Sequence, residues 1–364
     1  MDINNPIGMK SFQPSQSPFI MSPSRFGGAS AVGGGYWKEL GRNELGSSAS
    51  EIIVSGLTSH KYYKILCYLY ATTGNSIAES LQFNANSNSV YARRSSANGN
   101  EATQVNLTAL NNITQGHGPQ EMFEMNVANV AGQEKLAITH SVNGDIGTSN
   151  APKRNEHVAK FVPSPDADIT QVRVFDNGAG SYDYAIGSQI IVLGWEDTVT
   201  HALTDNFWKY GNRVELGTAG TNIELSSFGS HEWLMVRVFA VSAGNNADMS
   251  MQFNNATSDY AWRKSSNGAT DSESASASFI GGGTSAGTNT AIFKTILIRN
   301  QSDKEKLAII HEVNGETAGA GTAAGRAVVV GKWVNTSSQI TTIDFNSSSQ
   351  NYASGSFAEV WYAD

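Results

Sequence analysis

Glu134-Lys135-Leu136-Ala137-Ile138-Thr139-His140-Ser141-Val142-Asn143-Gly144-Asp145 returns later in the chain as Glu305-Lys306-Leu307-Ala308-Ile309-Ile310-His311-Glu312-Val313-Asn314-Gly315-Glu316. Both copies alternate apolar and small or polar residues, the period of a strand with two unlike faces. Both end in Asn-Gly, the dipeptide that type I′ hairpin turns favour because its residues tolerate positive φ. The spacing is 171 residues, and the match extends in both directions. Trp37-Lys38 recurs as Trp208-Lys209, Glu44-Leu45-Gly46 as Glu215-Leu216-Gly217, and Gln82-Phe83-Asn84 as Gln252-Phe253-Asn254. Lys160-Phe161-Val162 recurs as Lys332-Trp333-Val334. Ordered matches at this period mean a duplicated domain, since a solenoid unit is only about 20–50 residues long.

Within each copy the apolar runs are short. Glu51–Ser55, Tyr62–Tyr70, Leu136–His140, Gln171–Phe175 and Gln189–Trp195 read as strands of the first. Asn222–Leu225, Trp233–Val241, Phe293–Arg299, Leu307–His311, Ala327–Val330, Ile340–Phe345 and Phe357–Tyr362 read as strands of the second. Asn98-Gly99, Asn143-Gly144, Asn177-Gly178, Asn267-Gly268 and Asn314-Gly315 are the expected turns. Seven or eight strands per copy, with no convincing helix, predict an all-β chain. The expected architecture is two tandem antiparallel β-sandwich domains, jelly-roll-like by strand count. The expected division is an extended arm over 1–35, one sandwich over 36–198 and a second over 199–364, with the boundary at Thr198 to Asp205. Core positions expected from the alternation are Ile65, Leu66, Cys67, Leu136, Ile138 and Val192, with Val236, Val238, Leu307 and Ile309 as their counterparts.

Composition narrows the function. The 364 residues are 15% charged and 40% apolar, with 36 Gly, and Ser, Thr and Asn outnumber Lys and Glu. The net charge is −8, with +1 in residues 1–35, −5 in 36–198 and −4 in 199–364. No basic face results, so nucleic acid is not an expected partner. No apolar run approaches the roughly 18 residues of a membrane span, so no membrane partner is expected. The start Met1-Asp2-Ile3-Asn4-Asn5-Pro6 lacks a basic region followed by an apolar one, so no signal peptide is expected. The single cysteine, Cys67, excludes an intrachain disulfide and reads as a small buried hydrophobe rather than a reactive thiol.

Catalytic and metal motifs are missing. No Gly-x-Ser-x-Gly elbow, P-loop or His-Glu-x-x-His occurs, and Gly281-Gly282-Gly283 lacks the lysine a P-loop needs. The expectation is a non-enzymatic chain with no catalytic residue, no cofactor and no metal. Asp176 to Asp183 offers oxygen ligands in a glycine-rich loop that calcium accepts, yet it lacks EF-hand spacing and reads as a surface turn. His140 and His311 occupy equivalent positions and read either as ligands or acid/base groups, or as strand-end histidines kept by duplication. His60 and His231, another equivalent pair, carry the same two readings.

Tyr91-Ala92-Arg93-Arg94 and Tyr260-Ala261-Trp262-Arg263 set aromatic and guanidinium groups on a strand beside an Asn-Gly turn. Tyr91, Arg93, Arg94, Tyr260, Trp262 and Arg263 suit a subunit interface, a glycan contact or plain cross-strand packing, since Tyr, Trp and Arg dominate hot spots. The arm carries Pro6, Pro14, Pro18 and Pro23 among polar residues and cannot build its own core. Ile7, Phe12, Phe19 and Phe26 are its candidate anchors on a neighbouring subunit.

Trp37-Lys38-Glu39-Leu40-Gly41-Arg42, Phe83-Asn84, Tyr91-Ala92-Arg93-Arg94, Glu134-Lys135-Leu136 and Gly187-Ser188-Gln189-Ile190-Ile191-Val192-Leu193-Gly194 resemble a repeat in structural proteins of tailed bacteriophages. The second copy departs at its close, reading Gly355-Ser356-Phe357-Ala358-Glu359-Val360-Trp361-Tyr362. The resemblance spans residues 36–364 and implies a β-sandwich component of a virion, made in a host cytoplasm. Capsid decoration, a minor capsid protein or a tail-associated protein is the implied role, the first two foremost, with copies of itself or other virion proteins as partners. It carries over no catalytic residue. A tandem carbohydrate-binding module, or a tail or fibre receptor-binding component, is the alternative, with a glycan as its ligand.

Overall fold

The computed structural model describes residues 36–364 except 73–77, 112, 115–118, 145, 164–166, 178–182, 197–205, 245–247, 282–286, 289 and 316–322. The arm and its anchors Ile7, Phe12, Phe19 and Phe26, the boundary at Thr198 to Asp205, and most of the Asp176–Asp183 loop therefore lie outside the described residues.

All regular structure among the described residues is β. The first half holds β1 (Tyr36–Glu44), β2 (Glu51–Ser55), β3 (Tyr62–Tyr70), β4 (Glu79–Phe83), β5 (Tyr91–Ala97) and β6 (Asn100–Leu107). It continues with β7 (Leu110–Asn111), β8 (Gln120–Ala128), β9 (Lys135–Gly144), β10 (Lys153–Phe161), β11 (Gln171–Asp176) and β12 (Gln189–Glu196). The second half holds β13 (Lys209–Glu215), β14 (Asn222–Leu225), β15 (Trp233–Val241), β16 (Ser250–Phe253), β17 (Tyr260–Ser266) and β18 (Ser272–Ala277). It ends with β19 (Ala291–Arg299), β20 (Lys306–Asn314), β21 (Gly325–Trp333), β22 (Ile343–Asn346) and β23 (Phe357–Ala363).

Each half is a sandwich of one large and one small sheet. The first pairs an eight-stranded sheet, β1-β12-β3-β8-β9-β10-β5-β6, with a four-stranded one, β2-β11-β4-β7. The second pairs β13-β23-β15-β19-β20-β21-β17-β18 with β14-β22-β16. Every pairing between these strands is antiparallel, and strands distant in sequence lie side by side, as β1 does with β12, the crossover habit of jelly-roll-like sandwiches. The halves carry more strands than the seven or eight expected. Strands such as β6 and β18 are too polar to stand out from a loop, because they are edge strands of the large sheets and largely exposed.

A tyrosine ties the two layers of each sandwich together. Tyr91 in the large sheet stacks on Phe161 at 4.9 Å, and its hydroxyl accepts the Phe83 amide of the small sheet at 3.0 Å. Tyr260 repeats this, accepting the Phe253 amide at 2.7 Å. Asn84 and Asn254 follow at positive φ, 56° and 50°, where Asn is tolerated better than most residues. Their side-chain oxygens accept the amides of Thr170 and Gln171, and of Thr341 and Thr342. The recurring Gln-Phe-Asn and Tyr-Ala motifs are thus one structural latch.

Asn98-Gly99 and Asn267-Gly268 are turns with positive φ at both residues. Asn143-Gly144 is not a turn: it is the end of β9, still paired with Glu121 and Gln120 on one side, and Asn143 with Lys153 on the other. Asn314 likewise is the last residue of β20. A Cβ on Gly144 would lie 3.4 Å from Lys332 Cδ, so this glycine sits where the second half comes close.

The expected core needs one correction. Ile65, Cys67 and Val192 lie in the first sandwich core, and Val236 and Val238 in the second. The Cys67 thiol is fully buried and pushed well up by burial, the state of an inert core cysteine. Leu136 and Ile138 are instead 57% and 53% exposed. Strand parity explains it, since Ala137 points into the sandwich and Leu136 and Ile138 point out of the large sheet. Leu307 and Ile309 also point outward, yet are 0% and 1% exposed, because the first half covers them.

Candidate functional site

The outer faces of the two large sheets meet in a third apolar cluster. Leu66, Tyr68, Met122, Val142, Ile191 and Leu193 come from the first half. Trp233, Leu297, Leu307, Ile309, Val330 and Trp361 come from the second, with Phe207 and Trp208 from the segment leading into it. This explains why Tyr62–Tyr70 is apolar at nearly every position. Ile65, Cys67 and Leu69 fill the sandwich while Leu66 and Tyr68 fill the seam. A strand buried on both faces reads as a continuous apolar run.

Polar pairs rim the seam. Trp233 Nε1 donates to Gln189 Oε1 at 3.2 Å, and Gln120 Nε2 donates to Glu305 Oε2 at 2.7 Å. The Arg299 guanidinium lies 5.1 Å from the ring centres of both Tyr68 and Trp233. Arg154 grips Asp271 through Nε and Nη2 at 3.2 and 3.0 Å, with both side chains 2% exposed.

Where the halves meet stand His140 and His311, whose rings approach edge to face at 4.1 Å. Duplication placed these histidines on equivalent strands, and packing of the halves brings them into contact. Glu124 lies directly opposite His140 on β8, and its Oε1 is 3.7 Å from His311 Nε2. Its other oxygen accepts Lys64 Nζ at 2.9 Å. Burial pushes His140 down to about 3, with His311 adding to the effect, so its imidazole is neutral at neutral pH. Burial alone would raise the Glu124 carboxyl, but Lys64 and His311 hold it well below the ordinary range. The site is therefore an ionised carboxylate beside a neutral imidazole. Sequence reading missed Glu124, which has no motif around it and whose equivalent position in the second half is Thr295, opposite His311.

The other singled-out residues are scattered. Tyr91 and Tyr260 are the buried latches described above. Arg93 is buried, donating from Nε to Gln104 Oε1 at 2.8 Å. Burial and Arg93 keep the neighbouring His157 depressed to about 3. Arg94 is exposed, opposite Val158. Trp262 is half-buried over Gly281, where a Cβ would come within 2.7 Å of the indole. Arg263 joins the seam, donating to the Pro152 carbonyl at 3.0 Å and pairing with Glu273. His60 and His231 are separate from the cluster: His60 binds Glu196 at 2.6 Å, and His231 binds Asp364 while stacking on Tyr362 at 3.6 Å.

The seam is closed on one side only. Val142 and Gly144, after His140, meet the stretch that precedes His311, with Leu307 and Lys332 nearest Gly144. The reciprocal residues are bare. Leu136, Ile138 and Val158 form an apolar patch on the first large sheet, Val158 being 52% exposed and directly opposite Ile138. Phe293 and Val313, 39% and 44% exposed and directly paired, form one on the second. These patches are repeat-equivalent to residues that bury each other within the chain. Leu136, Ile138 and Val158 correspond to Leu307, Ile309 and Val330, while Phe293 and Val313 correspond to Met122 and Val142.

No protein-family model and no curated protein sequence matches the chain. Among solved structures, domains LG4-5 of the mouse laminin alpha1 chain align over 93% of each chain, at 10% identity and a TM-score of 0.18. A likeness that slight is no basis for reading function. Among the described residues no helix is long and apolar enough to cross a membrane.

Proposed function

We propose that this chain is a non-enzymatic structural protein that packs against copies of itself in an assembled particle. Of known kinds, the decoration and minor capsid proteins of tailed-bacteriophage virions fit best, on the sequence resemblance given above. One observation carries the reading: the seam between the halves spends only half of each complementary face. Leu136, Ile138 and Val158 remain on one half, and Phe293 and Val313 on the other. The occupant that fits is a second copy of this chain, because the two bare patches are the duplicates of two surfaces already shown to bury each other. Because each copy carries both surfaces, a two-fold pair buries both at once, whereas docking of one surface alone on its counterpart continues from molecule to molecule into a ring or filament. Exposed apolar patches of this kind mark association sites.

Sedimentation velocity over a concentration series tests the proposal, with Ile138→Glu and Val313→Glu as separate variants. The wild type is expected to associate, and either charge at a bare patch to abolish it while leaving the fold intact. Association that either variant preserves, or a wild type monomeric throughout, refutes the docking. Cryo-electron microscopy of the source particle then asks whether the chain occupies a lattice position; its absence from the particle refutes the virion role.

A further inference from the structure

We propose that Glu124, His140 and His311 bind one first-row divalent transition metal ion, of the zinc type, and that the ion staples the two halves together across their seam. Each residue offers one ligand atom, and these atoms all lie within 4.8 Å of one another. A tetrahedral ion with bonds of about 2.1 Å holds neighbouring ligand atoms about 3.4 Å apart, so modest side-chain rotation closes the set. Two imidazoles and a carboxylate suit a borderline-soft cation better than calcium or magnesium, which prefer all-oxygen sites.

The backbone is already arranged for this. Glu124 and His140 are directly opposed on neighbouring strands of one rigid sheet, and His311 projects from the facing sheet. Ligands on paired strands do not drift relative to each other, and the third arrives with the packing of Leu307 and Ile309 on the same strand. Lys64 holds the distal oxygen of Glu124, leaving the proximal oxygen toward His311. An outer partner that orients a ligating carboxylate is the ordinary second layer of a metal site. All three residues are only partly buried, so water reaches the remaining coordination position.

The duplication also explains why there is one site. Exact repetition would set two carboxylates beside two histidines on either side of the seam. Thr295 stands where the second carboxylate would be, so the ligand set is a single carboxylate and both imidazoles. Neither half holds the set alone.

The test uses the full chain, stripped with a chelator and titrated with Zn²⁺ by calorimetry and with Co²⁺ by visible absorption. One saturable site per chain is expected, with Co²⁺ bands of a mixed nitrogen and oxygen environment. Glu124→Gln, His140→Ala and His311→Ala are each expected to weaken binding at least tenfold. His60→Ala and His231→Ala, which remove histidines outside the cluster, are expected to leave it unchanged. Glu124→Gln keeps the side-chain shape, so it remains informative if a histidine variant folds poorly. A second readout is thermal unfolding, where Zn²⁺ should raise the midpoint of the wild type and not of Glu124→Gln. Failure of the folded wild type to bind either ion with unit stoichiometry overturns the proposal, as does equal binding by Glu124→Gln and wild type. Either outcome leaves the association proposed above untouched, since that rests on Ile138, Val313 and their neighbours.

Discussion

Leu307→Ala and Leu136→Ala are the same substitution at duplicate positions of the two halves, and the structure assigns them opposite consequences. Leu307 is fully buried in the seam among Tyr68, Val142, Trp233 and Ile309. Truncating it removes about three carbons from an apolar environment and leaves a cavity walled by two sheets that cannot easily collapse. Such truncations cost about 2–5 kcal/mol. We expect about 3 kcal/mol, near the middle of that range, because rigid sheets surround the site. For a half of this size the midpoint of thermal unfolding should fall by about 6–12 °C. Leu136 points to solvent and is more than half exposed, so its truncation should stay within about 0.5 kcal/mol. Urea unfolding followed by tryptophan fluorescence suits the comparison, because Trp208, Trp233 and Trp361 all line the seam. Equal costs for the two substitutions, or a cost below about 1 kcal/mol for Leu307→Ala, would refute the placement of the seam.

Glu79 provides a pH prediction. It is buried with Glu121 in the first half and accepts the Thr114 amide, and burial raises its carboxyl to about 7. A carboxyl raised in the folded state favours folding most at low pH, and that contribution is lost as pH rises from about 4.5 to about 7. His140 and His157 act in the opposite sense below about 6.5, so the clean measure is the difference between wild type and Glu79→Gln. Relative to the variant, the wild type should lose stability on the order of 3 kcal/mol across that interval; a pH-independent difference would rule out the buried proton. Asp271 concerns the seam again. Asp271→Ala strands the buried Arg154 guanidinium with Glu156 alone and should cost about 3 kcal/mol, while Arg154→Met combined with Asp271→Leu should cost less than the two single changes together. A coupling energy near zero in that double-mutant cycle would show that the two groups do not pair across the halves.

Much of the fold was legible before the structure. The duplication is written in ordered motifs, from Trp37-Lys38 to Lys160-Phe161-Val162 and their counterparts. Runs such as Tyr62–Tyr70 and Trp233–Val241 match β3 and β15 end to end. Asn98-Gly99 and Asn267-Gly268 turn as their chemistry requires. These are local properties: side-chain alternation, positive φ and the spacing of repeats are all set by residues near in sequence. The same locality explains the errors. Asn143-Gly144 has turn chemistry, yet neighbouring strands keep pairing with it and it forms the last two residues of β9.

What only tertiary structure decided is which outward faces are covered. Leu136-Ala137-Ile138 and Leu307-Ala308-Ile309 are one pattern, yet Leu136 and Ile138 are wet while Leu307 and Ile309 are dry. Alternation states that a residue points out of its own sheet; whether anything lies beyond depends on where an entire second sandwich packs. The candidate site has the same origin. His140 and His311 were visible as equivalent histidines, but their contact, and the arrival of Glu124 beside them, exist only because two sheets 171 residues apart in sequence meet face to face. Within one half each of these side chains is an ordinary polar residue on a strand. Bringing them together requires burying Leu66, Leu307, Trp233 and Trp361 against one another, a non-directional force summed over area that no local motif encodes.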